Sequence, residues 1–94
     1  MHAVVRKYKN PKLIETLDQR KSEVESLIRP VPGFVAYYLI KSSDGGASIT
    51  VCDDKTGTDA SIKLAAEWIR QNAPDAAGTP PEVTEGEVIL QLGR

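Results

Sequence analysis

The chain has 94 residues, with 12 Lys/Arg against 13 Asp/Glu, a formal charge of −1 and a pI near 5.8, so it has room for one core and no electrostatic footprint for nucleic acid or an anionic membrane. One histidine and one cysteine exclude a multi-ligand His/Cys metal site within a single subunit, and Cys52 has no internal partner for a disulfide. No apolar run approaches the ~20 residues of a membrane span, and the N-terminus lacks the apolar region of a signal peptide. The reading is therefore one domain over residues 1–94, cytoplasmic, with no nucleic-acid or membrane partner and no metal.

Taken in order, Ala3 to Tyr8 reads as a short strand whose end is basic at Arg6, Lys7 and Lys9. Asn10-Pro11 supplies an N-cap and a first-turn proline. The helix that follows carries Leu13, Leu17, Val24, Leu27 and Ile28 on one stripe and ends by Arg29, before Pro30 and Pro32. Arg20 falls on that stripe. Either its stem covers the core while the guanidinium reaches water or a carboxylate, or its charge is aimed into a cleft.

Phe34 to Ile40 is an unbroken apolar and aromatic run opened by Pro32-Gly33, too short and too β-branched or aromatic for a free helix, and it reads as a strand. Strict alternation puts Phe34, Ala36, Tyr38 and Ile40 on one face and Val35, Tyr37 and Leu39 on the other. Both faces are apolar, so one of them needs cover from outside the subunit. Asp44-Gly45-Gly46 marks a hairpin into a third strand over Ala47 to Cys52. That strand has no aromatic residue on which RNA bases could stack. Cys52 reads as a packed side chain rather than a reactive thiol.

A second helix starts at an expected N-cap, Thr58, with Asp59 in its first turn, and presents Ile62, Ala65, Ala66, Ile69 and Ala73 on one face. Trp68 lies off that face, near Asn72, and reads either as marginal packing or as a pocket wall. Asn72 to Gly86 is rich in Pro and Gly and reads as a surface loop. Val88 to Leu92 reads as the last strand, after Glu82, Glu85 and Glu87.

The order of elements, strand, helix, strand, hairpin, strand, helix, strand, specifies an α+β, ferredoxin-like βαββαβ unit with a four-stranded antiparallel sheet and helices on one face. The first and last strands are then neighbours, basic end beside acidic start. With this topology, Val31-Pro32-Gly33-Phe34-Val35-Ala36-Tyr37-Tyr38, the Gly-Gly hairpin and Ala65-Ala66-Glu67-Trp68-Ile69 make the chain resemble the dimeric α+β barrel superfamily, specifically the antibiotic biosynthesis monooxygenase-like small proteins. That resemblance implies a homodimer through the open sheet faces, and a pocket between sheet and helices that takes a small aromatic ligand. It matches Trp68 to a helix tryptophan, with Tyr37 or Tyr38 as an aromatic wall. The asparagine that the resemblance leads one to expect on strand one or one turn before the tryptophan has no counterpart in Ala3 to Tyr8 or at Leu64, and the haem-ligand histidine has none after the tryptophan helix.

Two functions are weighed. The first is a cofactor-independent monooxygenase of a small aromatic or quinol substrate, needing no cofactor; the second is a non-catalytic dimer that binds a small ligand or responds to stress. Ligand-binding candidates are Trp68, Tyr38, Tyr37, Phe34, Arg20 and Asn72. No catalytic residue can be assigned, because no close carboxylate pair, histidine base or activated nucleophile can be picked out.

Overall fold

A computed structural model describes residues 1–77 and 80–93. The chain runs β1 (His2–Tyr8), α1 (Pro11–Gln19), α2 (Lys21–Ile28), β2 (Phe34–Ser42), β3 (Gly45–Cys52), α3 (Lys55–Asn72), α4 (Pro74–Ala77) and β4 (Glu82–Glu87). The strands form one antiparallel sheet in the order β2-β3-β1-β4, the α+β ferredoxin-like arrangement the sequence predicts. No helix among the described residues is long and apolar enough to cross a membrane.

Local chemistry sets most boundaries. The Asn10 side chain accepts hydrogen bonds from the backbone N–H groups of Lys12 and Leu13, at 3.1 and 3.3 Å, and Pro11 occupies the first turn. The expected single helix divides at Arg20, whose backbone (φ −117°, ψ 36°) closes α1 and opens α2. The division lets α1 lie on β3 while α2 turns toward α3. The chain enters β2 through Gly33, whose φ of +68° suits glycine, and the Gly33 carbonyl accepts from the Asp53 N–H at 2.8 Å. Ser43 and Asp44 form the two-residue connection to β3.

Four expectations about the second half are corrected. The N-cap of α3 is Asp54, which accepts from the Thr56 N–H at 3.0 Å, so Thr58 lies inside the helix and is buried. The face that α3 lays on the sheet is made by Gly57, Thr58, Ser61 and Ile69, while Ala66 is exposed. Gly57 permits this approach: a Cβ there would meet the Pro32 carbonyl oxygen at 2.1 Å and Cys52 Sγ at 2.8 Å. The last strand is Glu82–Glu87 rather than 88–92, because β1 is in register with the acidic segment: Lys7 stands opposite Glu82 and His2 opposite Glu87. The predicted loop over 72–86 accordingly gives way to α4 and β4; its Gly78 and Thr79 lie outside the described residues.

The helix-covered face holds the core, in which Tyr8, Leu13, Ile14, Leu17, Val24 and Ile28 pack together. On the opposite face Tyr38 is 60% exposed and Ile40 and Val35 are also exposed. Beyond β4, Ile89 (93% exposed) and Leu92 (84%) are uncovered by the rest of the chain.

Candidate functional site

The site begins with a break in alternation. Phe34 stands opposite Cys52 and Ala36 opposite Val51, so Val35 is an extra residue, a β-bulge. The bulge shifts the phase of the strand and brings Phe34 to the helix side with Tyr37 and Leu39, correcting the expectation that Phe34 shares a face with Tyr38. Tyr38 is on the open face. Of the two tyrosines it is Tyr37 that turns under the helices.

Phe34, Tyr37 and Leu39, facing Ile14, Val24 and Ile28 of α1 and α2, enclose an elongated groove of about 520 Å³. Its base is apolar and its rim is charged. Asp18 pairs with Lys21 at 3.1 Å and with Lys41 at 3.6 Å, and the hydrogen bond from Lys21 holds the Asp18 carboxyl below its ordinary value. Arg29 lies 3.6 Å from Glu25 on the same rim. These are exposed pairs that position the rim without contributing much stability.

A second, inner chamber of about 20 Å³ shares the walls Val24, Ile28 and Tyr37 with the groove. That volume accommodates about one water-sized group. Its remaining walls include Trp68, Ala65, Ser48 and Arg6. Arg6 is the unexpected member. β1 directs Val4, Arg6 and Tyr8 toward the helices, leaving Arg6 only 3% exposed. Its Nε–H donates to Ser48 Oγ at 3.3 Å, and among the described residues no carboxylate lies within ion-pairing distance. A buried guanidinium without a counter-charge is costly, which separates Arg6 from the surface ion pairs. Burial pushes the Tyr37 phenol up, against smaller opposing pulls from the Arg6 charge and the Ser48 hydroxyl, so it is protonated at neutral pH and available as a donor.

The other candidates occupy different positions. Trp68 is half-buried and forms a wall of the inner chamber. Arg20 lines neither the groove nor the chamber; its Nη2 donates to Glu23 at 2.7 Å and its Cζ sits 5.0 Å from the centre of the Trp68 ring, stacking on the tryptophan from outside. Asn72 donates from Nδ2 to the Trp68 carbonyl at 3.0 Å, within α3. Sequence reasoning assigned Arg6 to the basic end of a strand and missed its burial. The signal that could have found it is the alternation Val4, Arg6, Tyr8, which puts the arginine on the same face as two apolar neighbours. Because its charge is uncompensated, Arg6→Met should raise the unfolding free energy by about 1 kcal/mol or more, measured by urea denaturation; a marked loss would identify Arg6 as a structural residue.

No family model matches the sequence, and no curated protein matches it. Solved structures do. The monooxygenase ActVA-Orf6 of Streptomyces coelicolor, in complex with nanaomycin D, superposes with a TM-score of 0.64 at 19% identity, over 99% of this chain and 90% of that one. The heme-degrader MhuD of Mycobacterium tuberculosis, with two hemes bound, gives 0.65 at 18% identity over 98% of each chain. A mutant of SnoaB, a cofactor-independent oxygenase of Streptomyces nogalater, gives 0.54 at 20% identity, over 99% and 96%. At these identities the likeness is one of fold, and the structural neighbours are antibiotic biosynthesis monooxygenase-like proteins.

Proposed function

We propose that this chain, which shares its fold with ActVA-Orf6 and SnoaB, is a cofactor-independent monooxygenase of a small aromatic or quinol substrate. The observation that carries the reading is the apolar groove under α1 and α2, which shares the walls Val24, Ile28 and Tyr37 with a smaller chamber that Trp68, Ser48 and Arg6 also line. Such a site suits a flat ring system with one oxygen at its inner end. The chemistry asks little of the protein: an activated ring methylene loses a proton, the carbanion passes an electron to O2, the two radicals combine, and the peroxide loses water. One CH2 and one O2 become one C=O and one H2O, so no external reductant is needed. The protein's part is to exclude water and hold the ring, with Phe34 and Leu39 as floor and Trp68 and Tyr37 at the reacting end.

The residues present do not fit a haem. The one histidine, His2, is committed elsewhere: the Thr58 hydroxyl donates to the Lys55 carbonyl at 3.1 Å, so His2 Nδ1–H is the donor in its 2.7 Å bond to Thr58. Its Nε2 lies 3.7 Å from Glu85, and neither the groove nor the inner chamber is lined by an imidazole, thiol or thioether. A second reading, ligand binding without catalysis, is favoured by one observation. The titratable side chains of the inner chamber are the Arg6 guanidinium and the Tyr8 and Tyr37 phenols, with no carboxylate or imidazole among them to serve as a base. Substrates acidic enough to ionise unaided separate the two readings.

With anthrone or a substituted hydroquinone and no added flavin or metal, the purified protein should consume oxygen above the buffer rate, and Trp68→Ala and Tyr37→Phe should each reduce that rate about tenfold or more. Binding without oxygen uptake would favour the second reading. Dimerisation through the open sheet face belongs to the same proposal, supported by Tyr38 and Ile40 exposed on that face and by Ile49 and Val51 beside them. Light scattering at micromolar concentration should give twice the 10.2 kDa chain mass, and Tyr38→Asp with Ile40→Asp should give the monomer.

A further inference from the structure

We infer that the Arg6 chamber is an anion site, and that the ligand of the groove is an aromatic acid: a fused-ring system bearing a carboxylate or an ionised phenol that enters oxygen first. The inference narrows the substrate class of the proposed monooxygenase, but its binding part holds whether or not turnover follows.

Three observations converge. The first is the unpartnered charge. The Arg6 guanidinium is nine-tenths buried and more, uses Nε–H on Ser48, and has no carboxylate in ion-pairing range among the described residues. A cation desolvated this thoroughly is stabilised by an anion delivered from outside. The second is the donor set. Ser48 already accepts from Arg6, and Tyr37, on the shared wall, carries a phenol that stays protonated at neutral pH, so the chamber presents donors to an incoming oxygen and no competing negative charge. The third is size. About 20 Å³ takes a single oxygen atom and excludes a ring, whereas about 520 Å³ on the other side of the shared walls takes two or three fused rings against Phe34, Leu39 and Val24. Taken together, these fix the polarity of the ligand: rings outward under α2, oxyanion inward at Arg6.

The rim offers a competing explanation, because Lys21, Lys41 and Arg29 are also cationic. Each of them lies beside Asp18 or Glu25, however, and each is exposed. An anion there gains a screened, partly neutralised contact; at Arg6 it gains a buried one.

The test is calorimetric titration of the full chain at pH 7 with 2-naphthoate and with its neutral isostere 2-naphthamide. The wild type should bind the carboxylate about tenfold or more tighter than the amide, and Arg6→Met should bind both alike and weakly, with circular dichroism showing that it is folded. Equal binding of the two ligands by the wild type, binding of neither, or a carboxylate preference that survives in Arg6→Met would each overturn the inference, the last by assigning the anion to the rim. If Arg6→Met does not fold, Arg6→Gln serves as the second variant and separates Arg6 from the rim. Oxygen uptake is measured separately, so failure of the monooxygenase reading leaves a carboxylate preference intact, and failure of the anion site leaves oxygen uptake with neutral substrates intact.

Discussion

The phase of one strand governs what this molecule can hold. Side chains of a strand alternate, and β2 begins with a residue that strict alternation would send to the open face. The extra residue at Val35 resets the phase, and Phe34, Tyr37 and Leu39 come to lie together under α1 and α2. Without that bulge the groove would lose its aromatic end wall, and a phenyl ring would join Tyr38 and Ile40 on the already apolar open face. The bulge therefore separates two jobs that one strand must do: lining a cavity on one side, and presenting a flat apolar surface on the other.

The same alternation, applied to β1, places a charge where burial is expensive. Val4 and Tyr8 are core residues, and Arg6 between them shares their face. The fold tolerates this because Ser48, opposite Arg6 in register, accepts one of its hydrogen bonds; Val24, Ile28 and Tyr37 are the residues that line both the chamber and the groove. A methionine would fill the position more cheaply. On the proposed reading the arginine is accounted for by what it can attract.

Much of the architecture was legible in the sequence, because it rests on local signals: the Asn10-Pro11 helix start, the Gly33 turn, the Asp44-Gly45 hairpin and the alternating order of elements. The errors have physical causes. The bulge at Val35 adds no unusual residue to the run, so periodicity passes over it. Hydropathy points to the most apolar segment, 88–92, as the last strand, whereas pairing with β1 selects the acidic segment Glu82–Glu87 by register and charge, and the apolar segment is left uncovered. The break at Arg20 was half visible as a charged residue on an apolar stripe; its consequence, a guanidinium stacked on Trp68 and bound to Glu23, depends on the tertiary contact with α3. Trp68 is conspicuous in the sequence as an aromatic residue off the main packing face, whereas alternation separates Tyr37 from Tyr38 without saying which of them faces the helices. Arg6 is not conspicuous, because a basic residue at a strand end reads as surface until its face is assigned.

The account stands on one geometric claim, that an aromatic acid lies with its rings in the groove and its oxyanion at Arg6. Crystals of the protein grown with 6-bromo-2-naphthoate test it most directly, since bromine is located by its anomalous scattering. The account predicts bromine between α2 and β2, near Phe34, Leu39 and Val24, with one carboxylate oxygen within hydrogen-bonding distance of the Arg6 guanidinium. Bromine directed inward with the carboxylate at Lys21, Lys41 or Arg29, or a ligand on the open face beside Tyr38, would contradict it.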